Sequence, residues 1–443
     1  MSENAALPPE LISEIPGPRS RALAARLASV ESQNVTCLVP EVPIFWQRAQ
    51  GSNVWDADGN RYIDLTAGFG VAAAGHSHPA IVAAISQQAG QLLHGMGDVH
   101  PSAVKVELLE ALVRHFPGGR PARGILLSSG SDAVEAALKT AMLATGHPGV
   151  IAFEGAYHGL SLGALDATWR RDFRQPFEAR LPGVTRFARF GDIDSVRRAA
   201  DAPGPTGESG SPGSLRSLGS AGQAIGAVLV EPVQGRAGER TAPAGFLAEL
   251  RALCDERGWL LIADEIYTGF GRTGRWFACD HEDVVPDLLC VGKGLSGGMP
   301  VSACLGLEGV MAAWPVSQGE ALHTQTYLGH PAGCAAALAS LRAIEEEKLV
   351  ERAAQQGAAA LAQLKRQLST VDGVCEVRGL GLMIGIECVS GDVAARGCNA
   401  ALKRGVIVLP SGERGEVLSI TPPLCIDRDG LQLALDLVCQ ALS

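Results

Sequence analysis

The stretch Leu288-Leu289-Cys290-Val291-Gly292-Lys293-Gly294-Leu295-Ser296-Gly297-Gly298 sets one lysine between an apolar run and a glycine-rich turn. Four apolar residues without polar alternation predict a strand covered on both faces, and the glycines predict a tight turn at its carboxyl end. An amine at that junction lies in low dielectric, which lowers its pKa and frees its lone pair. Asp264 and Glu265 close a second run of the same kind, Trp259-Leu260-Leu261-Ile262-Ala263. A lysine able to form a Schiff base and a carboxylate able to hold a protonated ring nitrogen are the partners that pyridoxal phosphate requires. Taken singly, Lys293 also reads as a solvated surface lysine and Asp264-Glu265 as a helix cap.

Outward from these two strands, further short apolar runs alternate with helical segments: Gly124-Ile125-Leu126-Leu127, Val150-Ile151-Ala152-Phe153 and Ala227-Val228-Leu229-Val230. The alternation predicts an α/β fold with a mostly parallel sheet covered on both faces. Several of these runs end on a polar group. Leu126-Leu127 leads through Ser128-Ser129-Gly130-Ser131 into a helix, so free N–H groups at the helix start form an anion cradle suited to phosphate, or an ordinary N-cap. Tyr157-His158-Gly159 follows the Val150 run and offers a ring for stacking on a flat cofactor, or a core tyrosine. Glu231-Pro232-Val233-Gln234-Gly235-Arg236 ends the next run. Polar groups repeated along one sheet edge distinguish a site from scattered core residues.

With these motifs the chain resembles the class III aminotransferases, the fold-type I group of pyridoxal-phosphate enzymes that includes ornithine, acetylornithine and 4-aminobutyrate aminotransferases. The resemblance runs from Val54-Trp55-Asp56-Ala57-Asp58-Gly59 to Thr421-Pro422-Pro423-Leu424. It is carried above all by Leu261-Ile262-Ala263-Asp264-Glu265-Ile266-Tyr267-Thr268-Gly269-Phe270-Gly271-Arg272-Thr273-Gly274 followed by Lys293. It implies a large domain with a mostly parallel seven-stranded sheet plus a smaller α+β domain. Lys293 is then the Schiff-base lysine and proton shuttle, and Asp264 the partner of the ring nitrogen. Ser129, Gly130 and Ser131 fall at the phosphate cup, Tyr157 at the stacking position, and His158 and Glu231 beside the cofactor. Thr326, within His323-Thr324-Gln325-Thr326-Tyr327, matches a threonine that reaches the phosphate of the neighbouring subunit. The resemblance therefore implies a homodimer with shared active sites, alone or as the unit of a larger assembly.

Three positions depart from the pattern. Tyr267 stands where many relatives have a glutamine that contacts the cofactor's phenolic oxygen, Leu160 replaces a carboxylate-binding arginine, and Arg236 replaces a glutamate. Arg378, in Val377-Arg378-Gly379-Leu380-Gly381, is expected to grip the substrate carboxylate, with Arg236 as a second anionic contact, because guanidinium forks suit carboxylates. The other reading of Arg236 is a structural ion pair with Glu231 or Glu239. Phe69, Met96 and Gln325 are placed near the substrate by the resemblance.

The expected activity is transfer of an amino group from an amino acid or ω-amine to a keto acid, 2-oxoglutarate or pyruvate, in two half-reactions. Aminomutase, racemase and phospholyase chemistry on the same fold are the rivals, with a non-catalytic pyridoxal-phosphate-binding protein further behind. Across 443 residues, a 47% hydrophobic and 19% charged composition is that of a folded protein large enough for several domains. A net charge of −10 without a basic run argues against nucleic acid. No apolar stretch reaches the length of a membrane span, no signal peptide is evident, and the eleven cysteines lack CxxC pairs, so a cytoplasmic protein with reduced thiols is expected. His76 and His78 read as loop-capping residues, with no metal site.

Domains are expected at 1–79 (N-terminal helix and hairpin, part of the small domain), 80–330 (large domain) and 331–443 (remainder of the small domain). Within them, residues 18–32 predict an amphipathic helix, Asp58-Gly59 a hairpin turn, and Pro331 to Leu349 one long helix. The proline-, glycine- and serine-rich stretch 202–214 predicts a mobile surface loop.

Overall fold

The computed structural model describes residues 6–37, 43–202 and 224–443. Most of the stretch expected to be a mobile loop therefore lies outside the described residues. The first helix, Pro18–Ala28, is shorter than the 18–32 expected from sequence and stops where Ser29 and β-branched Val30 follow. Next come β1 (Trp46–Gln50), β2 (Asn53–Asp56) and β3 (Arg61–Asp64), an antiparallel meander whose second turn is the expected Asp58-Gly59 hairpin.

The central sheet is built from β4 (Ala122–Leu127), β5 (Gly149–Phe153), β6 (Thr185–Ala188) and β7 (Ile225–Val230). After a small pair, β8 (Val233–Gln234) and β9 (Arg240–Thr241), it continues with β10 (Leu260–Asp264), β11 (Leu288–Val291) and β12 (Ser302–Leu307). Its spatial order is β4-β12-β11-β10-β7-β5-β6, seven strands in all. Only β12 runs antiparallel to its neighbours, so the carboxyl ends of β4, β5, β7, β10 and β11 share one edge.

The unbroken apolar runs follow from two cores, one on each face. Leu261, Ala263, Leu289 and Val291 face one core, while Ile262, Leu288 and Cys290 face the other. A strand with water on one side would alternate; these cannot.

The C-terminal part forms β13 (Val374–Leu380), β14 (Met383–Cys388), β15 (Val406–Ile407), β16 (Leu409–Ser411) and β17 (Val417–Ile420). β15 returns to pair with β3, while β13-β14-β17-β16 make a separate antiparallel sheet. The helix from Pro331 ends at Glu346, short of Leu349, and a new helix starts at Leu349. Three glutamates in a row, Glu345 to Glu347, oppose the helix dipole at a C-terminus, and Lys348 turns the chain with φ at 53°.

Candidate active site

Five strand ends converge. β4 leads into Ser129, which caps the helix Gly130–Thr145 by accepting a hydrogen bond from the Asp132 amide at 3.2 Å. β5 leads to Tyr157 and His158, β7 to Glu231, β10 ends on Asp264 and β11 leads to Lys293. Gly130, Ser131, Tyr157, His158, Glu231, Arg236, Asp264, Tyr267 and Lys293 all line one cavity of about 370 Å³. Ser129 is set back from that lining, and its carbonyl accepts from the Ser302 hydroxyl at 2.6 Å.

Asp264 is buried, and its two oxygens have different partners. Oδ2 lies 2.7 Å from His158 Nδ1, and Oδ1 accepts from the Ile266 amide at 3.1 Å. The carboxylate can only accept, which assigns the proton of that bond to Nδ1. His158 thereby orients Asp264 without adding another acid. Glu231 instead braces the backbone. Its Oε1 accepts from the Tyr157 amide at 2.8 Å and its Oε2 from the Gly235 amide at 3.4 Å. It ties the turn bearing Tyr157 to the turn bearing Arg236. Burial pushes its pKa up to about 7, opposed by His158 and reinforced by the nearby Asp264 charge. Glu265, next to Asp264, points away from the cavity and accepts from the amides of Ala278 and Cys279 at 2.9 and 2.8 Å.

Lys293 has φ at 28°, a left-handed conformation that lysine rarely adopts and that local packing must enforce. Its Nζ lies 3.4 Å from the centroid of the Tyr267 ring. The Tyr267 hydroxyl is turned toward Thr421 Oγ1 at 3.0 Å, so the tyrosine presents its ring, not its oxygen, to the amine. Burial lowers the Lys293 pKa to about 8; Glu231 and Asp264 act against that shift, and Arg236 and Arg272 add to it.

The unfolded chain, with the ordinary lysine value of 10.5, holds this proton more tightly than the folded one. Lys293 is therefore expected to contribute a gain in stability as pH rises from about 8 to 10.5, with none of that gain present below about 8. Comparing the Tm of the cofactor-free protein with that of Lys293→Ala across this range checks it. A difference that stays flat with pH would refute the expectation.

Arg236 and Arg378 part company. Arg378 donates Nε–H to the Gly238 carbonyl at 2.8 Å and Nη1–H to Glu376 at 2.7 Å, and it also contacts Glu387. This guanidinium is occupied, and it lines an adjoining chamber of about 200 Å³, not the Lys293 cavity. Arg236 lines both spaces. It makes no ion pair with Glu231 or Glu239; its guanidinium carbon sits 5.3 Å from the Tyr157 ring centroid. Glu239 is instead buried against the hydroxyls of Ser411 and Ser419.

Phe69, Gln325 and Thr326 are outside the cavity lining. Phe69 is 58% exposed, Gln325 accepts from the Ser128 hydroxyl at 3.3 Å, and Thr326 is exposed. His76 and His78 turn to separate carboxylates, Asp64 and Glu347, each at 2.7 Å. Sequence reasoning missed Ile266, which lines the cavity and was legible as the apolar residue two beyond Asp264.

A seven-stranded, mostly parallel sheet whose edge presents a strand-end lysine opposite a histidine-oriented aspartate defines an enzyme of the fold-type I group. The profile of the family described as Aminotransferase class-III matches residues 37–442, and the chain belongs to that family. It is an aminotransferase, moving an amino group from a donor to a keto acid in two half-reactions. It is 39% identical to the acetylornithine aminotransferase of Methanopyrus kandleri, over 90% of this chain and 94% of that one. It is 35% identical to the 4-aminobutyrate aminotransferase of Mycobacterium tuberculosis, over 98% of each. The ornithine aminotransferase structure from Toxoplasma gondii superposes with a TM-score of 0.84 at 29% identity, covering 96% of this chain and 94% of that one. Among the described residues no helix is long and apolar enough to cross a membrane.

Proposed function

We propose that the Lys293 cavity holds pyridoxal 5′-phosphate and that the enzyme transfers the amino group of a carboxylate-bearing donor. The observation that carries this is the convergence of Lys293, Asp264 and the Gly130-Ser131 helix start on one cavity. The residues fit the cofactor in size and chemistry. A Cβ at Gly159, where φ is 118°, would meet the Ser131 hydroxyl at 2.5 Å, so that position favours glycine, and one at Gly130 would press on Ile266 at 3.0 Å. Nε2 of His158 is buried without a protein partner beside Asp264.

When bound, pyridoxal phosphate supplies an electrophilic carbonyl and an electron-withdrawing ring. Lys293 Nζ gives up and takes back a proton, which a pKa near 8 allows without a large excess of either form. Asp264 would keep the ring nitrogen protonated, and His158 keeps the carboxylate aimed. Amide N–H groups of Gly130 and Ser131, at the positive end of their helix, would hold the phosphate. Tyr157 would supply a ring for the cofactor to pack on, with Glu231 fixing its backbone. Arg236, facing both spaces, holds a substrate carboxylate.

The acceptor is 2-oxoglutarate or pyruvate. The working unit is a homodimer in which Thr326, exposed on its segment, reaches the neighbouring site. The cytoplasm is its compartment. Titrating the visible absorption of the cofactor-loaded enzyme with amino donors, then with each keto acid, tests the reading. Bleaching by a donor and return with a keto acid identifies both substrates. Product formation without an external acceptor would replace transfer by isomerase or lyase chemistry.

A further inference from the structure

One neighbour of Arg236 has no assigned role. Arg170 follows Trp169 in the segment after β5 and lines the 200 Å³ chamber together with Arg236, Tyr157 and Phe173. Its Nη2 donates to the Gly412 carbonyl. Its guanidinium carbon stands 5.6 Å from the centroid of the Phe173 ring, and that of Arg236 stands 6.0 Å from the same centroid. Two guanidiniums thus share one aromatic ring. Burial, then the charge of Arg236, lowers the pKa of Arg170, while Asp172, Glu413 and Glu416 act against that shift. Neither forms an ion pair among the described residues, whereas Arg378 in the same wall is held by Glu376 and Glu387. Two partly buried like charges repel, and Glu413 and Glu416 lie near without forming an ion pair with either guanidinium, so a bound anion would relieve the repulsion that remains.

We propose that Arg170 and Arg236 form one carboxylate subsite, which holds the end of the amino donor remote from its reacting nitrogen. The proposal rests on the reading of Arg236 as a substrate contact and adds a second, independent arm to it. Paired forks can take both oxygens of a carboxylate, and the Tyr157 and Phe173 rings offer an apolar wall for the carbon chain that leads to it. A phosphate end fits less well. Glu387, Glu413 and Glu416 line the same chamber and would repel a dianion more than a single carboxylate.

The test uses the cofactor-loaded enzyme and compares straight-chain ω-amino acids with the matching alkylamines. The preference for acid over amine, as a ratio of kcat/KM, is expected to fall roughly tenfold to a hundredfold in Arg170→Gln and in Arg236→Gln, and to recover in part in Arg170→Lys. If Arg236→Gln lowers the ratio and Arg170→Gln does not, the paired subsite is overturned while the Arg236 reading stands. If neither lowers it, both fall. A loss in Arg170→Gln that is equal for acids and amines makes Arg170 a structural residue and overturns the pair. Wild-type preference for an ω-aminoalkyl phosphonate over the acid of equal length would overturn the assignment to a carboxylate.

Discussion

Lys293→Ala is expected to lower kcat for amino transfer by about 10³-fold or more, because it removes both the nucleophilic amine and the group that moves the proton. The same change should not destabilise the fold. It takes away an amine whose charge is disfavoured by burial, and the smaller side chain suits the φ of 28° at least as well as lysine does. A Tm equal to or above that of the wild type, measured without cofactor, together with the lost turnover, is the expected pair of results. A variant retaining more than about a tenth of wild-type kcat would remove Lys293 from the mechanism.

Asp264→Asn should cost roughly 10²- to 10³-fold in kcat/KM. The amide keeps the shape and one acceptor, so the 2.7 Å contact with His158 can survive, but the negative charge that keeps a ring nitrogen protonated is gone. Because His158 acts through Asp264, the losses in Asp264→Asn and His158→Ala are expected to be non-additive in the double variant. Full additivity would mean that His158 acts on its own. A fall of less than tenfold in Asp264→Asn would count against the assigned role.

Much of this was legible in the chain because the same grammar repeats. An apolar run without alternation, then a polar residue, marks the carboxyl end of a strand buried on both sides, and β5, β7, β10 and β11 all obey it. Lys293, Asp264, Glu231 and Tyr157 could therefore be located from sequence. What a residue does once there depends on register and turn geometry, which leave no such mark. Glu376 lies directly across from Glu387 in the β13-β14 ladder, and Arg378 bridges the two like charges. Nothing in Val377-Arg378-Gly379 announces that capture. Tyr267 is similar, since its spacing from Asp264 puts it in the cavity but its hydroxyl is drawn off by Thr421, 154 residues later. The end of the helix at Glu346 depended on a local charge run that the alanine-rich pattern concealed.

The position of β12 has a consequence for how the molecule is made. β4 has one partner in the sheet, β12, and their residues pair as Leu127 with Ser302 through Ala122 with Leu307. On a ribosome, β4 emerges first of the seven strands and must wait for the last. At typical elongation speeds that interval is on the order of 10 to 35 s. Throughout it, both edges of β4 are open to other chains, and the glycine turn it carries has no site to complete. The cofactor cradle closes only when synthesis has delivered the turn bearing Lys293 and β12 has slid between β11 and β4. Nascent chains halted before Ser302 should accordingly hold most of the catalytic side chains and yet be the species most prone to associate with one another.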